Sequence, residues 1–528
     1  MASLTIFFPI RDELSDADQA CLREIWTTDP REDKKRIEET KGGLLADSYR
    51  WILDHVDFLK WRRDGQTRLL WIKGDPGKGK TMLLCGIINE LKKSISKTDL
   101  LAFFFCQASD SRINSATAVL RGLIYLLADQ QPSLLTHIRK KYDHVGKQLF
   151  DGVNAWWAMS EIVINILEDP KLQDTYLVID ALDECMTDLP LLLNFIVTKL
   201  SVSSRVKLIV SGRNWPSIEE HLDAATQKVR LCLELNEESV SAAVGKYIRF
   251  KVNELAQLKK YKDETRGAIQ RHLSSNAHDT FLWVALVCQD LKKVPRWKVL
   301  DELKAFPPGL DSLYQQMMDQ IHHSDDAELC RQILAVVSTV FRPITLAELP
   351  SFVQMLKDLS DDYESLADII GHCGSFLTLR GHTLSLVHQS AKDYLLGNVC
   401  DKVFPSGMAE VNYTIFLKSL DVMSRTLRRN IYKLDAPGFP IDKFKQPDPD
   451  PLSAASYSCV YWVDHLCDIK TSYNEIGLGD NGTFHVFLKK HFLHWLEALG
   501  WLRKVSEGIH AITTLESNTT VSKTPVRY

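Results

Sequence analysis

Gly74, Gly79, Lys80 and Thr81 fit the spacing G-x-x-x-x-G-K-[ST]. In that pattern successive backbone N–H groups face inward around a phosphate, and glycine lets the backbone come close to the anion without a Cβ in the way. Gly74, Asp75, Pro76, Gly77, Lys78, Gly79, Lys80, Thr81 and Met82 are therefore the candidate nucleotide-binding residues. Lys80 can reach terminal phosphates and the Thr81 hydroxyl can ligate Mg²⁺. A second group of residues ends the apolar run Tyr176-Leu177-Val178-Ile179: Asp180, then Asp183 and Glu184. Asp180 at a strand end is placed to hold Mg²⁺ through water, while Asp183 or Glu184 can orient or deprotonate an attacking water. Glu184 is the preferred base and Asp183 the close second. Arg213, just past another apolar run, either senses a terminal phosphate or forms a structural ion pair.

These residues need a scaffold that brings strand ends together. Leu69–Ile72 is a short apolar strand entering the glycine turn, and Met82–Leu91 continues as an apolar-periodic helix. Leu100–Cys106, Tyr176–Ile179 and Lys207–Val210 read as three further buried strands, with helices near Ala116–Ala128 and Met159–Leu167 between them. Strands alternating with helices predict an α/β P-loop NTPase fold, a doubly wound parallel sheet whose carboxyl ends converge on the phosphate loop. Helical, winged-helix and helical domains are expected to follow.

The predicted domains are an N-terminal helical lead-in (1–45), a nucleotide-binding domain (46–222), a helical domain (223–324), a winged-helix-like domain (325–400) and a C-terminal helical region with a mobile tail (401–528). Gly42-Gly43 reads as a helix break, or else as a close approach to a base. The winged-helix expectation rests on helices near Leu329–Phe341 and Leu346–Met355 followed by two short strands around Gly381-His382. His388 closes the second strand; a lone histidine there is more often a packing or capping residue than a ligand. Residues 405–451 are rich in Pro, Gly and Asp and read as a linker, and the polar stretch from Thr513 reads as a tail.

The chain has 528 residues, 45% of them hydrophobic and 25% charged, enough for several cored domains. A formal net charge of −4 gives no general basic footprint and argues against nucleic acid as the main partner. The 11 cysteines show no C-x-x-C spacing and no secretory leader precedes them, so reduced thiols and a cytoplasmic location are expected. The apolar run Leu4–Ile10 is far short of the ~20 residues of a membrane span, and no span is predicted. His465, Cys467, His485, His491 and His494 match no zinc spacing and are assigned to packing.

With those motifs in place the chain resembles the NACHT branch of the STAND signal-transduction NTPases, the fungal heterokaryon-incompatibility type, which is similar to the nephrocystin-like N-terminal group. The resemblance spans most of residues 20–515. It is carried by Gly74–Thr81 and by Tyr176-Leu-Val-Ile-Asp-Ala-Leu-Asp-Glu-Cys185, with support from Ile209–Arg213 and Thr280–Leu286. It implies a molecular switch: closed with a nucleoside diphosphate, opened by exchange for ATP or GTP with Mg²⁺, then self-oligomerising and acting on other signalling proteins. It also implies that His388, within Val387–Asp393, contacts the diphosphate, although the Asp that often follows is Gln389 here. No proline equivalent to the family's base-contacting one is evident near Thr280–Trp283, which leaves ATP and GTP both open. Relatives carry an effector domain before this core and repeats after it, so a truncated member, a core that works with other chains, or an incomplete sequence is expected. The alternatives to a switch are a nucleotide-stabilised scaffold that never hydrolyses and a constitutive NTPase; intact Asp180, Asp183 and Glu184 speak against the scaffold.

Overall fold

Strand β1 (Leu69–Lys73) is buried at its first four residues, which suits a strand covered on both faces. β2 (Leu100–Phe105) is buried throughout, and β3 (Thr175–Asp180) and β4 (Val206–Gly212) at every residue but the second. In the computed structural model, which describes residues 14–146, 148–151, 154–201, 203–226, 228–434, 444, 446–469 and 483–521, these strands and β5 (Lys228–Cys232) form one parallel sheet in the order β2-β3-β4-β1-β5. The register pairs Leu69 with Leu208 and with Lys228 on either side of β1. The step from β1 to β2 runs one way across the sheet and the later steps run the other way. Right-handed crossovers then place the first helix and the later ones on opposite faces, a doubly wound α/β arrangement.

All five strands point the same way, so Lys73, Phe105, Asp180, Gly212 and Cys232 share one edge. Backbone bonds knit that edge: Gly74 N–H donates to Gly212 O (3.3 Å) and Leu233 N–H to Lys73 O (2.9 Å). The helix Lys80–Ser94 buries Leu83, Leu84, Ile87, Ile88 and Leu91. Its Gly86 is needed for the close approach of Tyr49, because a Cβ there would lie 2.3 Å from the ring.

The chain divides into two units, one ending at Leu313 and one beginning at Tyr314. After the sheet, the first unit is helical: Glu237–Lys259, Asp263–Asn276, Phe281–Lys293 and Val299–Ala305. In the second, helices Ala327–Thr339 and Tyr363–His372 accompany a three-stranded antiparallel sheet of β6 (Ile344–Thr345), β7 (Leu377–Arg380) and β8 (Thr383–Leu386), in the order β6-β8-β7. Gly381 has φ 52° in the β7–β8 turn, a conformation that glycine adopts without penalty. A second apolar core joins Met408–Thr426, Ser456–Cys467, Thr483–Trp501 and Val505–Val521 through Phe416, Met423, Trp462, Trp495 and Leu515.

The fold departs from the sequence expectations in three places. Residues 228–232, within the stretch expected to be helical, form the fifth strand: Val229 and Leu231 are buried while Arg230 is exposed, a half-covered edge. The expected linker contains a 19-residue helix, Met408–Thr426, whose buried Ile415, Phe416, Ser419, Leu420 and Met423 follow helical spacing. The polar stretch from Thr513 is helical as far as Val521, tied down by Leu515 in the second core. Leu4–Ile10 lies outside the described residues. His465 is a packed residue: Nε2 meets the Tyr457 hydroxyl and Nδ1 the Asn412 Oδ1, both at 2.7 Å, and burial pushes its pKa down to about 3.

Candidate functional site

The phosphate loop leaves β1 at Lys73 and enters the helix at Lys80. Gly77 and Gly79 adopt φ 77° and 85°, the left-handed region that the turn demands. The loop is also crowded from outside. A Cβ on Gly77 would sit 2.6 Å from Thr280 Cγ2, and one on Gly79 would sit 2.9 Å from the Phe281 ring. Leu282 N–H approaches Gly77 O (3.4 Å) and Lys78 Nζ donates to His278 O (3.0 Å), so the start of the helix Phe281–Lys293 covers the loop. On the other side Glu234 accepts from Asp75 N–H at 2.7 Å, and Asn214 bridges to Asp75 Oδ1 at 3.1 Å. Burial pushes Glu234 up, but hydrogen bonds to it from Asp75 N–H, the Cys232 thiol and Asn214 outweigh that and keep the carboxyl below its ordinary value.

The Lys80 ammonium donates to the carbonyls of Gly74 (2.5 Å) and Asp75 (3.0 Å). Burial lowers its pKa, opposed by the nearby charges of Asp183 and Asp180. Asp180, buried at the end of β3, accepts from the Ser211 hydroxyl, and Ser211 Oγ in turn accepts from Ala181 N–H at 2.9 Å. Burial raises the Asp180 pKa, and the hydrogen bond from Ser211, the charges of Lys41 and Lys80 and the nearby Thr81 hydroxyl restrain it. Thr81 and Asp180, the two candidate Mg²⁺ ligands, are thus near neighbours. The turn after β3 carries Ala181 at φ 56°, a strained backbone for a residue with a Cβ.

Asp183 and Glu184 part company in that turn. Both oxygens of Asp183 are taken by Arg213: Oδ1 accepts its backbone N–H at 3.1 Å and Oδ2 faces Nε at 2.8 Å, with both residues buried. Glu184 accepts the Ala108 N–H at 3.1 Å, and burial, aided by the charge of Asp183, pushes its pKa up to about 7. A carboxyl with such a pKa can both take and release a proton near neutrality. The structure therefore brings together Lys80, Thr81, Asp180, Asp183, Glu184 and Arg213. His388 belongs to the second unit, where it N-caps the helix Gln389–Leu396, its Nδ1 accepting Ser390 N–H at 3.1 Å.

Several residues of this site carry no mark in the sequence. Lys41, at the C-cap of the helix Pro30–Thr40, lies near enough to lower the pKa of both Asp180 and Glu184. Its side chain has no ion pair or hydrogen bond among the described residues. Glu234 follows the strand that sequence periodicity missed. Thr280 and Phe281 carry no charge and belong to no spacing motif, and only the family resemblance of the stretch Thr280–Leu286 pointed toward them.

Comparison with known proteins bears on this geometry. Residues 47–213 match the family described as Nephrocystin 3, N-terminal. The vegetative incompatibility protein HET-E-1 of Podospora anserina is 56% identical over 517 residues, 95% of this chain. The chain is NACHT-type and HET-like. It spans 38% of the length of that HET relative. Among solved structures, the Walker-type ATPase PABY2304 of Pyrococcus abyssi is 10% identical, with 71% of this NACHT-type chain and 99% of the other covered and a TM-score of 0.32. The corresponding values for PCH-2 of C. elegans are 12%, 56%, 72% and 0.28. At such scores neither likeness carries weight. Among the described residues no helix is long and apolar enough to cross a membrane.

Proposed function

We propose that this chain is a signalling switch that binds a nucleoside triphosphate with Mg²⁺ and hydrolyses it slowly, in a process of the incompatibility class in which its HET relative is named. The observation that carries this reading is the gathering of Thr81, Asp180 and the loop-held Lys80 ammonium at one end of the sheet, with Glu184 poised near neutrality. The residues fit the implied ligands. The loop has glycine where a Cβ would collide, a buried ammonium held by main-chain oxygens, and an adjacent hydroxyl–carboxylate pair of the hard oxygen type that Mg²⁺ prefers. Bound Mg²⁺ would supply neutralisation of charge on the terminal phosphates.

The chain's own residues divide the work. The inward N–H groups of Gly77 to Thr81 and Lys80 bind the phosphates. Thr81 and Asp180 would hold the metal, and Ser211 orients Asp180. Glu184 accepts the proton of the attacking water on its carboxylate, and Asp183, locked by Arg213, fixes the turn that carries Glu184. Thr280 and Phe281 cover the loop and exclude water. His388, on the three-stranded module read as a winged helix, is the diphosphate contact of a closed form. Exchange for triphosphate releases it and permits self-assembly.

Chromatography of nucleotide released from the purified chain, alongside Lys80→Ala, tests this. The wild type is expected to carry adenine or guanine diphosphate and the variant none. Native mass spectrometry with a non-hydrolysable triphosphate is expected to reveal higher-order species. A nucleotide-free wild type that fails to bind either triphosphate with Mg²⁺ would sink the proposal, and only triphosphate after long incubation with Mg²⁺ would favour a scaffold that does not hydrolyse.

A further inference from the structure

Away from the phosphate loop, the helices Glu237–Lys259 and Phe281–Lys293 end side by side, joined by a hydrogen bond from Lys259 Nζ to Val294 O (3.1 Å). Lys260 takes φ 55° to turn the first chain into the next helix, Asp263–Asn276. The two turns border an open pocket of about 430 Å³, lined by Tyr261, Lys262, Thr265, Arg296, Trp297, Val299 and Leu300. That volume falls in the ordinary range of small-molecule sites.

The lining is unusual in three respects. No carboxylate takes part in it. Lys262 and Arg296, with Lys260 and Lys298 beside them, make no ion pair among the described residues, whereas the neighbouring Lys292, Lys293 and Arg266 are paired with Glu254, Asp290 and Asp263. The Tyr261 hydroxyl is buried with no hydrogen-bond partner, a state that costs about 1–3 kcal/mol unless a ligand or water fills it. Cations in the last turn of a helix compensate its dipole, which accounts for Lys259, Lys292 and Lys293. It does not account for Lys262, which caps the opposite, positive end of Asp263–Asn276. The wall is completed by aromatic surface: Trp297 is 78% exposed, with the Lys298 ammonium 5.0 Å above its ring.

We propose that this cavity binds a phosphorylated ring, of the sugar or cyclitol phosphate class. The Arg296 fork and Lys262 meet the phosphates, the Tyr261 hydroxyl donates to one phosphate oxygen, and the apolar face of the ring lies on Trp297. The same chemistry is offered by a free cyclitol phosphate and by an inositol lipid headgroup. This site stands independently of the nucleotide site.

Calorimetric titration of the full chain with inositol trisphosphate tests it, with inorganic phosphate as the probe lacking a ring. Saturable micromolar binding is expected, tighter than for inorganic phosphate and retained in Lys80→Ala. Arg296→Ala and Lys262→Ala, both exposed positions, are each expected to weaken it ~10-fold or more, and Tyr261→Phe several-fold, while Lys292→Ala leaves it unchanged. Vesicles of phosphatidylcholine with or without phosphatidylinositol bisphosphate separate the sources. Headgroup-dependent binding that inositol trisphosphate competes away assigns the lipid, and soluble binding alone assigns the free compound. Absence of saturable binding, equal affinity across the three cavity variants, or vesicle binding that inositol trisphosphate does not compete would overturn the proposal.

Discussion

Arg213 and Asp183 form a buried two-point clamp, with the backbone N–H of the arginine on one carboxylate oxygen and Nε on the other. The pair ties the end of β4 to the turn after β3, and so fixes the segment that carries Glu184. Removing the cation leaves a buried carboxylate uncompensated. Arg213→Ala is therefore expected to destabilise the first unit by ~3–5 kcal/mol, and a double-mutant cycle with Asp183→Ala to recover much of that loss. Denaturant unfolding measures both. Additive effects would mean that Arg213 acts elsewhere, on a phosphate for instance.

The proton on Glu184 gives a second prediction. Its pKa in the folded chain is about 7, against 4.5 for the ordinary side chain. A raised carboxyl pKa favours the folded state while the proton is held there and lost from the unfolded chain. This contribution is fully present below about pH 4.5, declines as pH rises through 7, and is absent above it. Glu184→Gln is expected to flatten that slope in unfolding titrations. Hydrolysis in the wild type is expected to increase with pH through the same window, because the base form is the ionised one, and the glutamine variant to lose the limb together with most turnover.

Much of this site was legible in sequence because its parts are local. The phosphate loop needs closely spaced glycines and a lysine, and the carboxylates follow one apolar run. What escaped was assembled from distant segments. Nothing near Lys41 marks its charge as acting on Asp180, since the helix Pro30–Thr40 reads as a charged surface helix. The fifth strand escaped because only Val229 and Leu231 alternate, too short a pattern to outweigh the helical stretch beyond it. The sequence preference for Glu184 over Asp183 was narrow, because the choice depends on which carboxylate Arg213 takes. The helix Met408–Thr426 was masked by prolines and glycines that lie outside it.

Lys41 and Lys80 should separate by nucleotide. Lys80→Ala removes the charge inside the loop and is expected to weaken triphosphate and diphosphate alike, by ~10–150-fold for each charge-assisted hydrogen bond removed. Lys41 lies outside the loop and its charge acts on Asp180 and Glu184, so Lys41→Ala is expected to cost roughly 10-fold in triphosphate affinity and little for diphosphate. Competition binding with labelled nucleotides reads the difference. Equal losses in the Lys41 variant would place its ammonium away from the terminal phosphate.

The glycine loop offers a test that separates binding from folding. Gly77→Ala forces a Cβ into a φ of 77° and against Thr280 Cγ2 at 2.6 Å. The strain, ~1–3 kcal/mol, is relieved most easily by moving the loop rather than the sheet. Nucleotide binding is expected to fail while the melting transition shifts only modestly. Thr280→Ser in the same chain removes the methyl group that collides but not the backbone strain, so a partial recovery of affinity is expected. Full recovery would show that crowding alone, and not the left-handed backbone, excludes alanine.

His388 must be separated from its role as a cap. Its Nδ1 accepts the Ser390 N–H, which places the ring proton on Nε2, and Ser390 Oγ lies 3.0 Å from the Tyr314 hydroxyl. His388→Ala would remove the cap, at ~1 kcal/mol, together with any ligand contact. His388→Asn keeps an acceptor for the helix N-terminus while withdrawing the imidazole. If the histidine touches a diphosphate in the closed form, the asparagine variant is expected to melt like the wild type yet release diphosphate several-fold faster, with triphosphate affinity unchanged. Stopped-flow release of a fluorescent diphosphate measures this. Wild-type release from His388→Asn, with destabilisation confined to His388→Ala, would leave His388 a capping residue and move the closing contact elsewhere on the second unit.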